Sequence, residues 1–393
     1  MSSPIKTCVL GVGLAGLTFH VPFVLALPKL FTLHAVLERK PQSPGGKLEA
    51  RFGPNASNGV TIYNTLEAVL ADKEIELIIV GTPSETHYAI AKSCLEAGKH
   101  VLVDKPVTAT YAEAVELGAL AKAKNRVLYP YQNRRWDSDF IALKALLDLP
   151  ASDPKSLGNL FEFESRFDRF RSTLKGTWKD LLLPANGLTY DLATHLMDQT
   201  LVLWGRPSKI TAQIENIRGI GSKELDDHFT ITFHYPALPT KGAGVAPTSF
   251  TVVHRGTSIS VRSSQVRYIV RGTQGTYTKF GVDVQEDQLK AIGSPADIVD
   301  SSNTSYGQEP EEIFGTLENF ELGSETNVVR SIWPSTAKGD YASLFKDVAA
   351  TIREGKTQAV KWKESAEVIE LIELSKQSAR EGRTIEVPPS TWA

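Results

Sequence analysis

The sequence predicts two domains: an α/β domain with a doubly wound parallel sheet, followed by an α+β domain with a large open, mostly antiparallel sheet. Through residue 130, short apolar strands alternate with helical segments, which is the pattern of a parallel sheet covered by helices. From Gly158 onward, apolar and polar residues alternate one by one, as in an antiparallel sheet with one solvated face. We therefore expect domains over residues 1–130 and 131–393, with a C-terminal helix at 364–380 that packs back on the first.

The composition excludes several classes of protein. The chain has 393 residues, a net charge of −2 and 41% hydrophobic residues, which is ordinary for a globular protein. This charge gives no general attraction to nucleic acid or to anionic membranes. The two cysteines, Cys8 and Cys94, are too few for a disulfide framework, and no Cys/His cluster has zinc spacing. Without a signal-peptide pattern or an apolar run of about 18 residues, we expect a cytoplasmic protein with no metal, nucleic-acid or membrane partner.

A glycine motif of the form G-x-G-x-x-G follows the first predicted strand. Its residues are Gly11, Val12, Gly13, Leu14, Ala15 and Gly16. Gly11 suits a tight turn, Gly13 lets the backbone approach a pyrophosphate, and Gly16 lets the next helix pack on the strand. A helix predicted over 14–27 would direct its first N–H groups at the phosphates. The motif predicts a dinucleotide cofactor, NAD or NADP, held by residues 11–15.

Three charged residues follow the second strand, about 20 residues after Gly16, where a dinucleotide-binding domain places its ribose-binding acid. They are Glu38, Arg39 and Lys40. A carboxylate favours NAD, since it accepts a hydrogen bond from the ribose 2′-hydroxyl and repels a 2′-phosphate. Two cations would instead hold the phosphate of NADP. The alternative is a merely solvated turn, and the sequence leaves the cofactor preference open.

Two further strands end in residues that suit a ligand site. The run 101–103 leads directly into Asp104, Lys105 and Pro106, and the proline stops the strand because it has no N–H to donate. A neighbouring strand ends in a second set, Gly81, Thr82 and Pro83, with His87 soon after. Ligands bind at the carboxyl ends of parallel strands. We therefore expect these residues to contact the cofactor and Lys105 to act in catalysis. The alternatives are a surface charge pair at 104–105 and a His87 that only packs against the loop.

A helical segment interrupts the strand pattern of the second domain near residue 190. Asp191 and His195 are spaced i and i+4, which places them on one face of a helix. A histidine with an aspartate one turn away suits a general base with an orienting partner. The alternative is a local hydrogen-bonded pair with no catalytic role.

Together these motifs resemble the family of glucose–fructose oxidoreductases and inositol dehydrogenases (Gfo/Idh/MocA), over essentially the whole chain. The likeness rests on the glycine motif, on Asp104-Lys105-Pro106 where most members have Glu-Lys-Pro, and on the D-x-x-x-H spacing of Asp191 and His195. Segments 132–140, 167–171 and 275–281 more closely resemble the NADP-dependent scyllo-inositol dehydrogenase branch. The acidic Glu38 departs from that branch.

The resemblance implies a Rossmann domain followed by a domain whose sheet packs in dimers or tetramers. It implies that Lys105, Asp191 and His195 surround one substrate carbinol. His195 would act as the base, Lys105 would stabilise the charge on the same oxygen, and Asp191 would orient the imidazole or the substrate. Two residues, Asn133 and Trp136, would contact nicotinamide or substrate. Three others would recognise substrate hydroxyls: Arg166, Asp168 and Tyr190. For these five a structural role is an equal alternative, because Arg and Asp often pair across a sheet.

The function predicted from the sequence is therefore an NAD(P)-dependent oxidoreductase acting on a small molecule. It would transfer a hydride between nicotinamide and a secondary alcohol or ketone of a cyclic polyol or sugar, such as scyllo-inositol. One alternative is a non-catalytic NAD(P)-binding sensor or regulator of the same fold, and another is an NAD-dependent glycosidase. The presence of Lys105, Asp191 and His195 together favours an enzyme over a sensor.

Overall fold

A computed structural model describes residues 3–241, 245–321, 323–324 and 326–392. The hairpin loop that the sequence predicts over 237–248 includes residues 242–244, which lie outside these ranges. The chain forms two compact units. The first comprises Met1–Trp136, Val284–Gly307 and Asp340–Ile369, and the second comprises Asp137–Asp283, Gln308–Gly339 and Glu370–Ala393.

The strands are, in chain order, β1 (Ile5–Leu10), β2 (Phe31–Leu37), β3 (Thr61–Tyr63), β4 (Leu77–Val80), β5 (His100–Val103), β6 (Leu128–Pro130), β7 (Leu160–Arg166), β8 (Lys209–Glu215), β9 (His228–Pro236), β10 (Ser249–Thr257), β11 (Val266–Gly272), β12 (Gly275–Phe280), β13 (Gly315–Phe320), β14 (Val328–Trp333) and β15 (Ile385–Glu386). The helices are α1 (Val21–Ala26), α2 (Gly46–Phe52), α3 (Leu66–Ala71), α4 (His87–Glu96), α5 (Tyr111–Lys124), α6 (Ser138–Leu147), α7 (Thr194–Trp204), α8 (Gln285–Ala291), α9 (Ala342–Glu354) and α10 (Trp362–Glu381).

The first unit is built on a six-stranded sheet with the order β3-β2-β1-β4-β5-β6. All of its strand pairs are parallel, which confirms the predicted doubly wound sheet. Every residue of β4 is buried, as expected of a parallel strand covered on both faces. Phe23 of α1 stacks on Phe345 of α9 with ring centroids 4.8 Å apart, so a late segment of the chain completes this core. At the start of α10, Trp362 donates a hydrogen bond to the carbonyl of Ala114 on α5.

The second unit is built on a nine-stranded sheet with the order β14-β13-β12-β11-β7-β10-β9-β8-β15. Among its described strands, β7 and β10 pair in parallel and the other pairs are antiparallel, which confirms a mostly antiparallel sheet. Alternate residues of β9 are buried and half-buried, so one face packs inward. On that face the ring centroid of Trp204 of α7 lies 4.9 Å from the ring centroids of both Phe163 and Phe250. Association of the other face with a second copy stays a prediction.

Within the described ranges, two helical segments contain a π-helical turn, and both lie beside predicted site residues. The segment predicted as a helix over 14–27 is helical from residue 14 to residue 26, and a π-helical turn at Gly16–His20 lies within it, directly before α1. The N–H of Val21 bonds the carbonyl of Gly16, and Pro22 has no N–H to continue either pattern. A second π-helical turn, Thr189–Ala193, precedes α7. Such turns are rare and are frequent at functional sites.

None of the helices in the described ranges combines the length and apolar character of a membrane span. The described residues also contain no group of three or more His, Cys, Asp or Glu side chains placed to hold a metal ion. Cys8 and Cys94 are buried thiols, and burial raises the pKa of both.

Candidate functional site

The glycine loop after β1 has the close packing that its sequence predicts. Gly11 has φ +91°, and a Cβ built there would lie 2.6 Å from the carbonyl oxygen of Gly81. A Cβ on Gly16 would lie 2.1 Å from the carbonyl oxygen of Gly11. A Cβ on Gly13, by contrast, would meet no described atom within 4 Å. The loop is thus held tightly at both ends and open at its centre, which fits a backbone cradle for the pyrophosphate of a dinucleotide.

Glu38 follows β2 but its carboxylate turns back into the unit. Its side chain is buried, and Oε2 accepts a hydrogen bond of 2.9 Å from the backbone N–H of Lys47 on α2. The next two residues, Arg39 and Lys40, are exposed. The three charged residues at this strand end therefore have different surroundings.

Asp104, at the end of β5, connects the predicted lysine to the glycine loop. One carboxylate oxygen accepts a hydrogen bond of 2.7 Å from the backbone N–H of Lys105, and the other lies 3.2 Å from Nε2 of His20. Burial acts to raise the pKa of Asp104, but the hydrogen bond and charge of His20 and the charges of Lys105 and His87 outweigh it, so the pKa is lowered. His20 was missed in the sequence, although a histidine inside an otherwise apolar helical run is a signal.

His87 is buried between the ends of two neighbouring strands. Its Nδ1 lies 2.8 Å from the carbonyl oxygen of Pro106, and its Nε2 lies 2.9 Å from that of Thr82. Because a carbonyl only accepts, both bonds form together when both ring nitrogens carry protons. His87 thus joins the turns after β4 and β5. The predicted contact of His87 with the cofactor remains a prediction.

Asn133 and Trp136 bound a short 3₁₀ turn that follows β6. Asn133 is buried, while the carbonyl of Trp136 accepts hydrogen bonds from the Gln285 side chain and the Asp340 backbone, each 3.1 Å long. Within the turn, Arg134 forms an ion pair of 2.7 Å with Glu286. Late segments of the first unit therefore fix the backbone of this turn.

In the second unit, Asp226 anchors the segment that carries Asp191 and His195. Its Oδ2 accepts hydrogen bonds from the backbone N–H and the hydroxyl of Thr189, at 2.6 and 2.8 Å. Gly187 has φ +103°, and a Cβ there would lie 2.4 Å from Oδ1 of Asp226. The π-helical turn therefore begins at a fixed point.

Asp191 lies within the π-helical turn and has two cationic neighbours. Its Oδ1 accepts a hydrogen bond of 3.1 Å from Nζ of Lys179, and its Oδ2 accepts one of 3.2 Å from Arg169. His195 is buried near the start of α7. The orienting role predicted for Asp191 was argued from regular helical spacing, and the two cations are additional residues that the sequence argument missed.

One turn beyond His195, Gln199 connects α7 to a buried arginine. Its Oε1 accepts hydrogen bonds from Arg267 at 3.2 Å and from the hydroxyl of Tyr268 at 2.9 Å. Arg267 is 1% exposed and also pairs with Asp139 at 3.0 Å. This network fixes the rotation of the helix that presents His195.

The residues predicted to recognise substrate hydroxyls have protein neighbours. Arg166 donates a hydrogen bond of 2.5 Å to Glu164 on the same strand and lies 3.9 Å from Asp168. Burial raises the pKa of Asp168. Tyr190 is buried, and Nζ of Lys376 lies 4.7 Å from its ring centroid. Hydroxyl recognition by Arg166, Asp168 and Tyr190 stays a prediction.

Comparisons with known proteins agree with this geometry. A model described as an oxidoreductase family with an NAD-binding Rossmann fold matches residues 5–132, and one described as the C-terminal alpha/beta domain of that oxidoreductase family matches residues 153–387.

Several relatives span nearly the whole chain. An oxidoreductase of Schizosaccharomyces pombe is 39% identical over 98% of this chain and 99% of its own. The Bacillus subtilis protein IolW, named scyllo-inositol 2-dehydrogenase (NADP(+)), is 32% identical over 97% of this chain and 95% of its own. The solved structure of Bacillus subtilis YvaA has a TM-score of 0.83 and 30% identity, covering 99% of this chain and 100% of that chain.

Proposed function

The chain belongs to the Gfo/Idh/MocA family of NAD(P)-binding oxidoreductases, and from this we propose that its substrate is a cyclic polyol or sugar. The reaction is hydride transfer between nicotinamide and a secondary alcohol or ketone of that ring. A scyllo-inositol-like ring is the first substrate to test, because the relative IolW carries that activity in its name.

The observation that carries the proposal is the position of Lys105 relative to the glycine loop. β1 pairs with β4 and β4 pairs with β5, all in parallel, so the glycine loop and the Asp104–Lys105 turn follow the carboxyl ends of β1 and β5, the two strands that flank β4. His20 ends the π-helical turn that follows the glycine loop, and its contact with Asp104 links that turn to the Asp104–Lys105 turn. A lysine at this edge suits stabilisation of an alkoxide next to a bound nicotinamide.

The bound cofactor would supply the hydride acceptor for alcohol oxidation and the hydride donor for ketone reduction. In oxidation, His195 takes the hydroxyl proton as the C–H bond gives up its hydride. Lys105 donates a hydrogen bond to the same oxygen and stabilises its developing negative charge. Asp191, held by Lys179 and Arg169, is proposed to orient the imidazole or a substrate hydroxyl.

Further residues are proposed as binding residues. The cofactor would contact two glycine-containing turns, Gly11–Ala15 and Gly81–Pro83, and also Asn133 and Trp136. Arg166, Asp168 and Tyr190 would provide hydroxyl recognition, with their present ion pairs and ring contact holding them in place. A homodimer or tetramer through the nine-stranded sheet is part of the proposal, and mass measurement in solution tests it.

The test is a panel of inositols, sugars and acyclic polyols, assayed in both directions with NADPH, NADP⁺, NADH and NAD⁺ at the nicotinamide absorbance. We expect turnover of a cyclic secondary alcohol together with its ketone. Cofactor binding without turnover across the panel would favour the sensor. Release of an aglycone from a glycoside without net change in cofactor redox state would favour the glycosidase.

A further inference from the structure

We propose that this chain selects NADPH over NADH, and that Arg39 and Lys40 make the selection while Glu38 has a structural role. The inference rests on the nicotinamide cofactor of the proposed function and does not depend on its substrate. It separates three adjacent residues that the sequence leaves as competitors for the adenosine ribose.

Glu38 acts as a cap for α2. The first N–H groups of a helix have no partner within the helix, and a carboxylate there is favoured by the helix dipole. Glu38 is 4% exposed, and its Oε2 accepts the hydrogen bond from the N–H of Lys47, the second residue of α2. The carbonyl of Glu38 accepts a further bond from Asn64, which fixes its backbone.

Gly46, the first residue of α2, is what lets the carboxylate reach this position. It has φ +54°, and a Cβ built on it would lie 2.2 Å from Oε2 of Glu38. The other oxygen, Oε1, is enclosed and has no hydrogen-bond partner among the described residues. To accept a bond from a ribose hydroxyl, Glu38 would have to leave the helix end and uncover the N–H of Lys47. The carboxylate that would favour NADH is therefore engaged elsewhere.

Arg39 and Lys40 have the opposite environment. Both are exposed, and neither side chain has an ion pair or hydrogen bond within the described parts of the chain. Leu37 pairs with Leu10 in the parallel register of β1 and β2, so these two cations follow β2 beside the glycine loop that follows β1. The 2′-phosphate of NADPH is the anion that distinguishes it from NADH at this edge. Arginine and lysine bind phosphate through charge-assisted hydrogen bonds.

The experiment is calorimetric titration of the full chain with NADPH and NADH, and with adenosine 2′,5′-bisphosphate and adenosine 5′-phosphate as probes without nicotinamide. We expect NADPH to bind at least about tenfold more tightly than NADH, and the bisphosphate at least about tenfold more tightly than adenosine 5′-phosphate. Two charge-assisted hydrogen bonds to the 2′-phosphate would give a difference of this size. In an Arg39→Ala/Lys40→Ala variant the affinity for NADPH should fall about tenfold to a hundredfold, while the affinity for NADH should stay within about threefold of the wild-type value. A Lys29→Ala/Lys73→Ala variant removes the same charge from two other exposed lysines of the first unit and should keep the preference.

The Glu38→Gln variant separates the cap from a ribose ligand. If Glu38 is a cap, this variant melts at a lower temperature and keeps the ratio of NADPH to NADH affinity within about twofold. Tighter binding of NADH by the wild-type protein, weakened in Glu38→Gln, would overturn the inference, because Glu38 would then hold the ribose. An unchanged NADPH preference in Arg39→Ala/Lys40→Ala would also overturn it. Failure of every nucleotide to bind the wild-type protein would instead overturn the proposed function.

Discussion

Nε2 of His20 lies 3.2 Å from Oδ2 of Asp104, and this buried contact joins positions 84 residues apart in the sequence. His20 ends the π-helical turn that follows the glycine loop, and Asp104 also accepts a hydrogen bond from the backbone N–H of Lys105. The ring of His20 packs edge-on against Tyr131, with centroids 4.7 Å apart. The π-helical turn after the glycine loop and the Asp104–Lys105 turn are therefore parts of one hydrogen-bonded arrangement.

Replacing His20 by alanine should destabilise the protein by about 3 kcal/mol, since it leaves a buried carboxylate without one of its partners. The pKa of Asp104 is lowered in the folded chain, so its contribution to stability is present above the ordinary carboxyl pKa and is lost as pH falls through the lowered value. We expect the difference in free energy of unfolding between wild type and His20→Ala to have its full value at pH 7 and to shrink below about pH 4. Urea unfolding of both proteins across this range measures it.

A buried histidine of the second unit provides the control for His20. His254 is completely buried in the second unit, and its Nε2 lies 3.4 Å from the hydroxyl of Thr200. His254→Ala should lower stability without weakening nucleotide binding, whereas His20→Ala should lower both. An equal loss of nucleotide affinity in the two variants would mean that the effect of His20→Ala comes from a general loss of stability and not from its contact beside the glycine loop.

Lys105→Met keeps most of the side-chain length and removes the ammonium group. If Lys105 stabilises the developing alkoxide, the rate of hydride transfer should fall about 10²–10³-fold, the usual cost of removing one such donor. The nucleotide dissociation constant should change much less. Single-turnover absorbance measurements and calorimetric titration separate the two effects. A variant with wild-type turnover would show that Lys105 has no part in the chemistry.

His195→Asn removes the proposed base while retaining a polar side chain. We expect alcohol oxidation to slow by about 10²–10⁴-fold, the range that general bases contribute. His234→Asn is the matched control, because His234 lies half-buried on β9 in the same unit and bonds Thr211. Comparable slowing in both variants would contradict a specific role for His195.

Local sequence patterns were sufficient for the sheets and for the glycine loop. The buried runs of β4 and β5, with proline after each, are visible because period and chain-breaking residues are local properties. The alternation in β9 likewise predicts one inward face from neighbouring residues alone. These features depend on residues within a few positions of one another.

Other features of the site depend on contacts between distant segments, which periodicity does not contain. The direction of the Glu38 carboxylate is decided by Gly46 and α2, and the partner of Asp104 is His20. Of the cations beside Asp191, Arg169 lies in the segment after β7 and Lys179 lies in a 3₁₀ turn at Trp178–Asp180, and the regular i, i+4 argument did not include the π-helical turn. A π-helical turn adds a residue per turn, so spacing in the sequence no longer fixes the face on which a side chain lies.

Lys279 and Glu309 form a fully buried ion pair of 3.2 Å in the second unit. Burial, reinforced by the charge of Asp139, raises the pKa of Glu309 to about 7 against the opposing charge of Lys279. Because the unfolded chain releases this proton nearer pH 4.5, the stability contributed by Glu309 falls as pH rises from about 4.5 to about 7. Lys279→Met alone should lower the free energy of unfolding by about 3–5 kcal/mol. The double variant Lys279→Met/Glu309→Leu should recover most of that stability and should lose this pH dependence. Urea unfolding at pH 5 and 8 tests both points, and a double variant as unstable as the single one would show that the pair itself stabilises the sheet.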